Sequence, residues 1–398
     1  MVLHPVDPNA HYKARRRKQR RRRRVRRTSA VVVLVFGAAA LAYAARVIDA
    51  RHETAAPPER AAKIVRQGPK QVVKPLSPPK TIRGVHVTMA LASLPGKLDE
   101  YLNLPGLNTL QLDVKDENGE LGFVPSSVPL AARVGAAKPY YKPRVVAKQV
   151  HAKGIYLIGR VVVMEDPVLS AARPDLAIRR TDGSRWVNHA GLGWVNPYDR
   201  RVWDYVVDIA EAAARTGFDE IQFDYVRFPS DGDMSAIVYP GETSTPKGWV
   251  IAQFAQYAAK RLKPLGIRVS ADVFGLSATR DLGIGQIPSR LGRYLDTIYP
   301  MVYPSHYGPG EYNLPDPNDN PGATVAYSLR DFNEKLAATH ARVVPWLQDF
   351  TLGRTYTMDD VQAQIDSARR AKAGGYLLWN AAGVYTPGAV RPARWHGE

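Results

Sequence analysis

Cysteine is absent from the 398 residues. This removes disulfide scaffolds, thiolate zinc sites, iron–sulfur clusters and cysteine nucleophiles together, and leaves the redox compartment open, because a chain without thiols is indifferent to it. Acidic side chains are scarce beside basic ones, 37 against 55, for a formal charge of +18. The excess is local. Residues 1–27 hold 12 basic residues against Asp7 alone, residues 28–45 hold no charge, and residues 46–83 hold 9 basic and 3 acidic residues, so the remainder carries only +1. A basic, nucleic-acid-binding body is thereby excluded; the high isoelectric point belongs to a tail and a linker. With 45% apolar residues the chain can build a core, which excludes a wholly disordered protein.

The first eighty residues read as a targeting device. A run of Arg and Lys ending at Arg27 adjoins uncharged residues 28–45, whose 18 positions would span about 27 Å as a helix, close to a bilayer core. The positive-inside rule then predicts a cytoplasmic tail at 1–27 and a single-pass signal anchor at 28–45, with the rest outside the cytoplasm. Ala42-Tyr43-Ala44 also has the form of a cleavage site, which would make the protein secreted. An arginine arm for nucleic acid explains the run less well, because it leaves the adjoining apolar stretch without a purpose. Residues 46–82, rich in Pro, Lys and Arg, read as a semi-extended spacer.

From residue 83 to about 390 the pattern alternates. Eight β-rich runs are expected at Gly84–Leu91, Thr109–Lys115, Ile155–Met164, Phe218–Phe228, Arg268–Phe274, Thr297–Tyr303, Arg342–Leu347 and Gly375–Asn380. Helical patterns separate them at Pro143–Lys153, Pro197–Arg215, Gly248–Lys263, Thr324–Thr339 and Met358–Ala373, with weaker crossovers at Lys97–Leu104 and Pro288–Leu295. Eight βα alternations predict a (β/α)8 barrel, an α/β fold of about this size. An open doubly wound sheet is the rival, but no Gly-rich dinucleotide turn follows the first strand, and no cofactor is expected. Helix-to-strand turns are short and glycine-bearing, whereas the strand-to-helix connections 165–196, 229–247 and 304–323 are long. These leave the C-terminal strand ends, where barrel enzymes build their sites. They carry Trp186, Trp194, Tyr239, Tyr307 and Tyr312, rings suited to stacking on sugars.

Carboxylates fall at the same rim: Asp113, Glu165 with Asp166, Asp224, Asp272 and Asp349. Strand alternation puts Gln222 and Asp224 on one face and Ser270 and Asp272 on one face of the next strand. An acid inside an apolar strand requires a pairing cation or a function. Arg227, three residues beyond Asp224, is the expected cation; a structural ion-pair network with Arg160, Arg227 and Lys115 is the alternative to a function. Asp224 and Asp272 are the expected catalytic pair, one protonated donor and one ionised nucleophile or base, with the roles open. Asp113, Lys115, Glu165, Tyr225, Arg227, Tyr303, His306, Trp346, Asp349, Trp379 and Asn380 are expected to contact substrate.

The strings Phe223-Asp224-Tyr225-Val226-Arg227-Phe228-Pro229, Tyr299-Pro300-Met301-Val302-Tyr303-Pro304 and Gly374-Gly375-Tyr376-Leu377-Leu378-Trp379-Asn380 resemble the glycoside hydrolase barrels of a largely uncharacterised bacterial family. The resemblance implies a carbohydrate-active barrel with a polysaccharide substrate. A looser similarity to alpha-amylase-type barrels implies a nucleophile at Asp224 and a donor at Asp272. Gln222 stands where those barrels carry an Arg, and Asp272 where they carry a Glu. Chitinase-type barrels fit worse, since Val226 occupies the place of their acid. Two other readings remain. A magnesium-dependent, enolase-like enzyme would use Glu165, Asp224 and Asp272 as ligands and Lys115 as base. A tethered glycan-binding barrel would use the rim without chemistry. His86, His189 and His306 form no paired-histidine motif, so no resident metal is expected.

Overall fold

The computed structural model describes residues 75–391. The expected basic tail and signal anchor, and the linker up to residue 74, lie outside the described residues. Among the described residues no helix is long and apolar enough to cross a membrane.

The strands are β1 Ile82–Val87, β2 Thr109–Lys115, β3 Tyr156–Val162, β4 Glu220–Asp224, β5 Arg268–Phe274, β6 Thr297–Val302, β7 in two pieces at Arg342–Val343 and Trp346–Gln348, and β8 Gly375–Trp379. All neighbours pair in parallel, and β8 pairs with β1 to close the sheet into a cylinder. The (β/α)8 expectation is met, and the open-sheet rival fails on that closure. β7 is split because Pro345 has no N–H for the ladder; pairing to β6 resumes at Trp346 with Met301.

Two apolar regions result from the alternation of side chains. Outward-facing residues of the strands pack on Arg200–Ala214, Lys247–Leu262, Pro321–Leu336, Met358–Arg370 and shorter helices, forming the main shell. Inside the cylinder lies a smaller cluster of Ile82, Tyr156, Ile158, Tyr299, Tyr303, Val344, Trp346 and Leu377. Helix starts follow local chemistry. Asp199 caps residues 200–214 and Asp166 caps Pro167–Ala172 through backbone N–H groups, while Thr357 and Asp360 form a capping box at Met358–Arg370. At the closing seam Gly375 has φ +118°, and an added Cβ would stand 2.1 Å from the Ile82 carbonyl oxygen, so only glycine fits.

One boundary moves. The expected linker ends before residue 82, because Leu76 N–H donates to Asp219 Oδ1 at 2.7 Å and Arg342 donates to the carbonyls of Pro79 and Lys80. Residues 75–81 therefore belong to the floor of the barrel. Backbone hydrogen bonding, invisible to a reading based on proline content, fixes them there.

Candidate active site

Every second residue of β2–β5 points inward, and at the C-terminal level these are Asp113, Arg160, Asp224 and Asp272. Arg160 is the hub, at 1% exposure. Its Nε and Nη2 both donate to Asp224 Oδ2, at 2.9 and 2.7 Å. Its Nη1 donates to Asp113 Oδ1 at 2.8 Å and reaches Glu117 at 3.4 Å. The other Asp224 oxygen accepts from the Tyr225 backbone N–H at 2.7 Å. Arg160 pairs in register with Gln222, so β3 places a guanidinium beside the position where alpha-amylase-type barrels carry theirs on β4. The cation expected at Arg227 is thus supplied by Arg160.

Asp272 is built differently. One oxygen, Oδ1, accepts from Gln222 Nε2 at 2.7 Å and from Trp346 Nε1 at 2.6 Å. It has no ion pair among the described residues. Burial, and then the charge of Asp224, push its pKa well above the usual carboxylate range. Both N–H groups converge on Oδ1, so Oδ2 is the oxygen on which a proton of this carboxyl would sit. Gln222 and Ser270 pair in register, as do Phe223 and Ala271, so Asp224 and Asp272 end adjacent strands at one level.

A chain of oriented amides holds this end in place. His86 Nδ1 donates to Gln111 Oε1 at 2.6 Å, Gln111 Nε2 donates to Gln222 Oε1, and Gln222 donates to Asp272. Burial, reinforced by Arg160, pushes the His86 pKa down to about 3, so the ring is neutral and its single proton sits on Nδ1. The ring stacks on Trp379 at 4.5 Å, and Trp379 meets the edge of Trp346 at 5.7 Å. Tyr303 lies on the inward face beyond Tyr299 and Met301, and burial, with the acids beside it, pushes its pKa well above the usual phenol range.

The expected site residues thus separate. Asp113, Asp224, Asp272, Tyr303, Trp346 and Trp379 gather around Arg160. His306 joins them at one remove, its ring 5.4 Å from that of Tyr303. Lys115 and Glu165 do not join. The ladder slips between Asp113 and Lys115. Lys115 is fully enclosed, donating to the Val162 carbonyl and pairing with Asp166 at 3.1 Å. Glu165 is enclosed as well, accepting from Asn188 at 2.9 Å. Asp349 is tied to Thr386 by the Thr386 N–H and hydroxyl, and Asn380 donates to the Asp349 carbonyl, so both organise the C-terminal loop. Tyr225, at φ +52°, and Arg227 pack against Trp194, and Arg227 makes no ion pair with the acid cluster. Trp186 and Trp194 are completely buried, not displayed on loops. Among the described residues no three of His, Asp and Glu converge as metal ligands, so Glu165, Asp224 and Asp272 do not form the magnesium set of the enolase-like reading.

Arg160, Glu117, His86, Gln111 and Gln222 complete the site without having been chosen for it. Arg160 was within reach of the sequence: it shares parity with Tyr156 and Ile158 in a run otherwise apolar on that face.

A closed parallel barrel with acids grouped at its C-terminal rim is an architecture that glycoside hydrolases share with many other barrel enzymes. Residues 84–385 match the family described as "putative glycosyl hydrolase domain", and the chain belongs to that family. Among solved structures it is similar to a hypothetical protein from Ruminiclostridium thermocellum, with 33% identity, 48% of this chain and 97% of that chain covered, and a TM-score of 0.43. It is also similar to the PgaB (BpsB) glycoside hydrolase domain from Bordetella bronchiseptica, at 14% identity, with 75% and 94% covered and a TM-score of 0.54. The spore cortex-lytic enzyme SleL of Bacillus megaterium aligns at 14% identity over 79% and 74%, with a TM-score of 0.48. No curated protein sequence matches the chain.

Proposed function

We propose that the protein is an extracytoplasmic polysaccharide hydrolase, held at the membrane by residues 28–45, in which Asp224 is the nucleophile and Asp272 the general acid. One observation carries the assignment. The two carboxyls stand at one level but in opposite environments, Asp224 held by a guanidinium and Asp272 buried with neutral donors on one oxygen only. Such a split keeps one group ionised and the other protonated at neutral pH. In the first step an Asp224 oxygen bonds to the anomeric carbon as the glycosidic bond breaks, and the Asp272 proton passes to the departing oxygen. In the second, Asp272 takes a proton from water, the hydroxyl bonds to the anomeric carbon, and Asp224 is released.

A nucleophilic Asp224 makes the reaction a retaining one, which calls for carboxyls roughly 5–5.5 Å apart instead of the roughly 6.5–9.5 Å of inverting enzymes. The first sugar product should therefore keep its anomeric configuration, read by proton NMR during turnover. Asp224→Asn and Asp272→Asn should each reduce hydrolysis by about 100-fold or more. Full activity in either variant removes that residue from the mechanism. Binding across a glycan panel with no product released would favour a non-catalytic glycan-binding barrel.

A further inference from the structure

Two arginines are buried near the strand ends that carry the acids, and only Arg160 is ion-paired among the described residues. Arg160 lays its Nε and Nη2 edge on Asp224. Arg227 is equally enclosed, at 2% exposure, but its acceptors are the Phe228 carbonyl at 3.1 Å and Ser230 Oγ at 3.0 Å, both on Nη1. Three rings cover its guanidinium, Phe274 at 4.7 Å and Trp194 and Tyr225 at 4.9 Å from its carbon to their centroids. Among the described residues no carboxylate lies within ion-pair distance. Nε and Nη2 make no hydrogen bond there, and neither nitrogen is wholly enclosed.

Location gives this unmet edge its meaning. Phe274 follows Asp272 by two residues on β5, so it shares the inward face one step nearer the mouth. Tyr225 directly follows Asp224. The guanidinium between these rings therefore lies beside the C-terminal strand ends that carry the paired acids. The nearby acids of the cluster are already committed, since Asp113, Glu117 and Asp224 all turn toward Arg160. Rings stabilise the flat faces of a guanidinium, whereas its Nε and Nη2 edge is a planar fork matched to two oxygens of one anion. A buried cation without a counter-charge attracts one strongly in such surroundings.

We propose that the Nε and Nη2 edge of Arg227 receives an anionic substituent of the polymer, a carboxylate or a phosphate, so that the substrate is an acidic glycan; this rests on the hydrolase reading of Asp224 and Asp272. The test uses the full-length chain carrying Asp272→Asn to halt turnover, with and without Arg227→Gln. Binding is measured by calorimetry to polygalacturonate, hyaluronan and alginate, each beside its carboxyl-reduced neutral form, and to poly(glycerol phosphate) beside glycerol oligomers. At least one acidic polymer should bind ten-fold or more tightly than its neutral partner, and Arg227→Gln should bring the two within two-fold. Preference among the uronates identifies a carboxylate, and preference for the glycerol phosphate polymer a phosphate. If Arg227→Gln does not fold, Arg227→Lys keeps the charge without the fork and should retain only part of the preference. No charge preference with any polymer, or a preference that survives Arg227→Gln, overturns the proposal. The unsubstituted protein is assayed on the same panel for product release. Cleavage of neutral polymers without acidic preference overturns the anion site and leaves the hydrolase reading standing. An Arg227-dependent preference with no product from any polymer supports the anion site and retires the hydrolase reading.

Discussion

The barrel encloses acids at two levels and neutralises them by different means. Near its floor Glu220 accepts from Ser270 Oγ at 2.5 Å and from Tyr156 Oη at 3.0 Å, and burial raises its pKa. Four residues further along the same strand, Asp224 meets a guanidinium that also serves Asp113 and Glu117. Burial favours the neutral form of the lower acid against the pull of its hydroxyl donors, so it serves as a packing element with no cation beside it. The upper group gathers three carboxylates on one cation beside the buried Asp272. Stability alone does not favour such an arrangement, because desolvating ions costs more than uncharged packing would. The difference separates a polar core from a working site within a single strand.

That contrast can be broken most severely at Arg160. Arg160→Met should leave Asp113, Glu117 and Asp224 facing one another without a cation and cost about 3–5 kcal/mol, measured by urea denaturation, with activity lost as well. The next largest effect distinguishes the two proposed catalytic acids. Asp224→Asn removes the best acceptor of a buried guanidinium and should cost about 3 kcal/mol, whereas Asp272→Asn replaces a group already neutral and should stay within about 1 kcal/mol at pH 7.

The sign for Asp272 can be worked out from linkage. Its folded pKa is raised, so above the unfolded carboxylate value the folded state binds the extra proton and stability falls with rising pH until the folded pKa is passed. Asp272→Asn should abolish that decline, read as a flatter dependence of melting temperature on pH over this interval. Because Trp346 Nε1 favours the ionised form of Asp272, Trp346→Phe should raise its pKa further and shift the alkaline limb of the pH–activity profile upward. The smallest effect belongs to the floor. Glu220→Gln should cost about 1 kcal/mol and leave the pH–activity profile unchanged; a shifted profile would mean that the two levels are one coupled system.

Much of this organisation is legible in the residues. Strands β2 and β5 end where their β-rich runs end, and Pro-initiated helices such as Pro143–His151 begin at their prolines. Asp224 and Asp272 could be paired because parity and strand order alone place them side by side. Lys115 and Glu165 escaped that logic. A slip in the ladder after Asp113 turns Lys115 away from the mouth, and no composition reports such a slip. Arg160 is legible only as part of the alternative ion-pair network, because nearness in sequence favours a cation on the strand of the acid, while a parallel barrel can supply it from the next strand at the same register. Arg227 shows the converse: its nearness in sequence to Asp224 suggested an ion pair, and the left-handed backbone at Tyr225 carries it into an aromatic cage instead.

The most direct test of the account is the protonation state of the two acids, observed by carbon-13 NMR of protein labelled at the aspartate side-chain carboxyl and assigned through Asp224→Asn and Asp272→Asn. At pH 7 the account predicts an ionised Asp224 and a protonated Asp272 that titrates only at higher pH. Two carboxylates both ionised at pH 7 would contradict it.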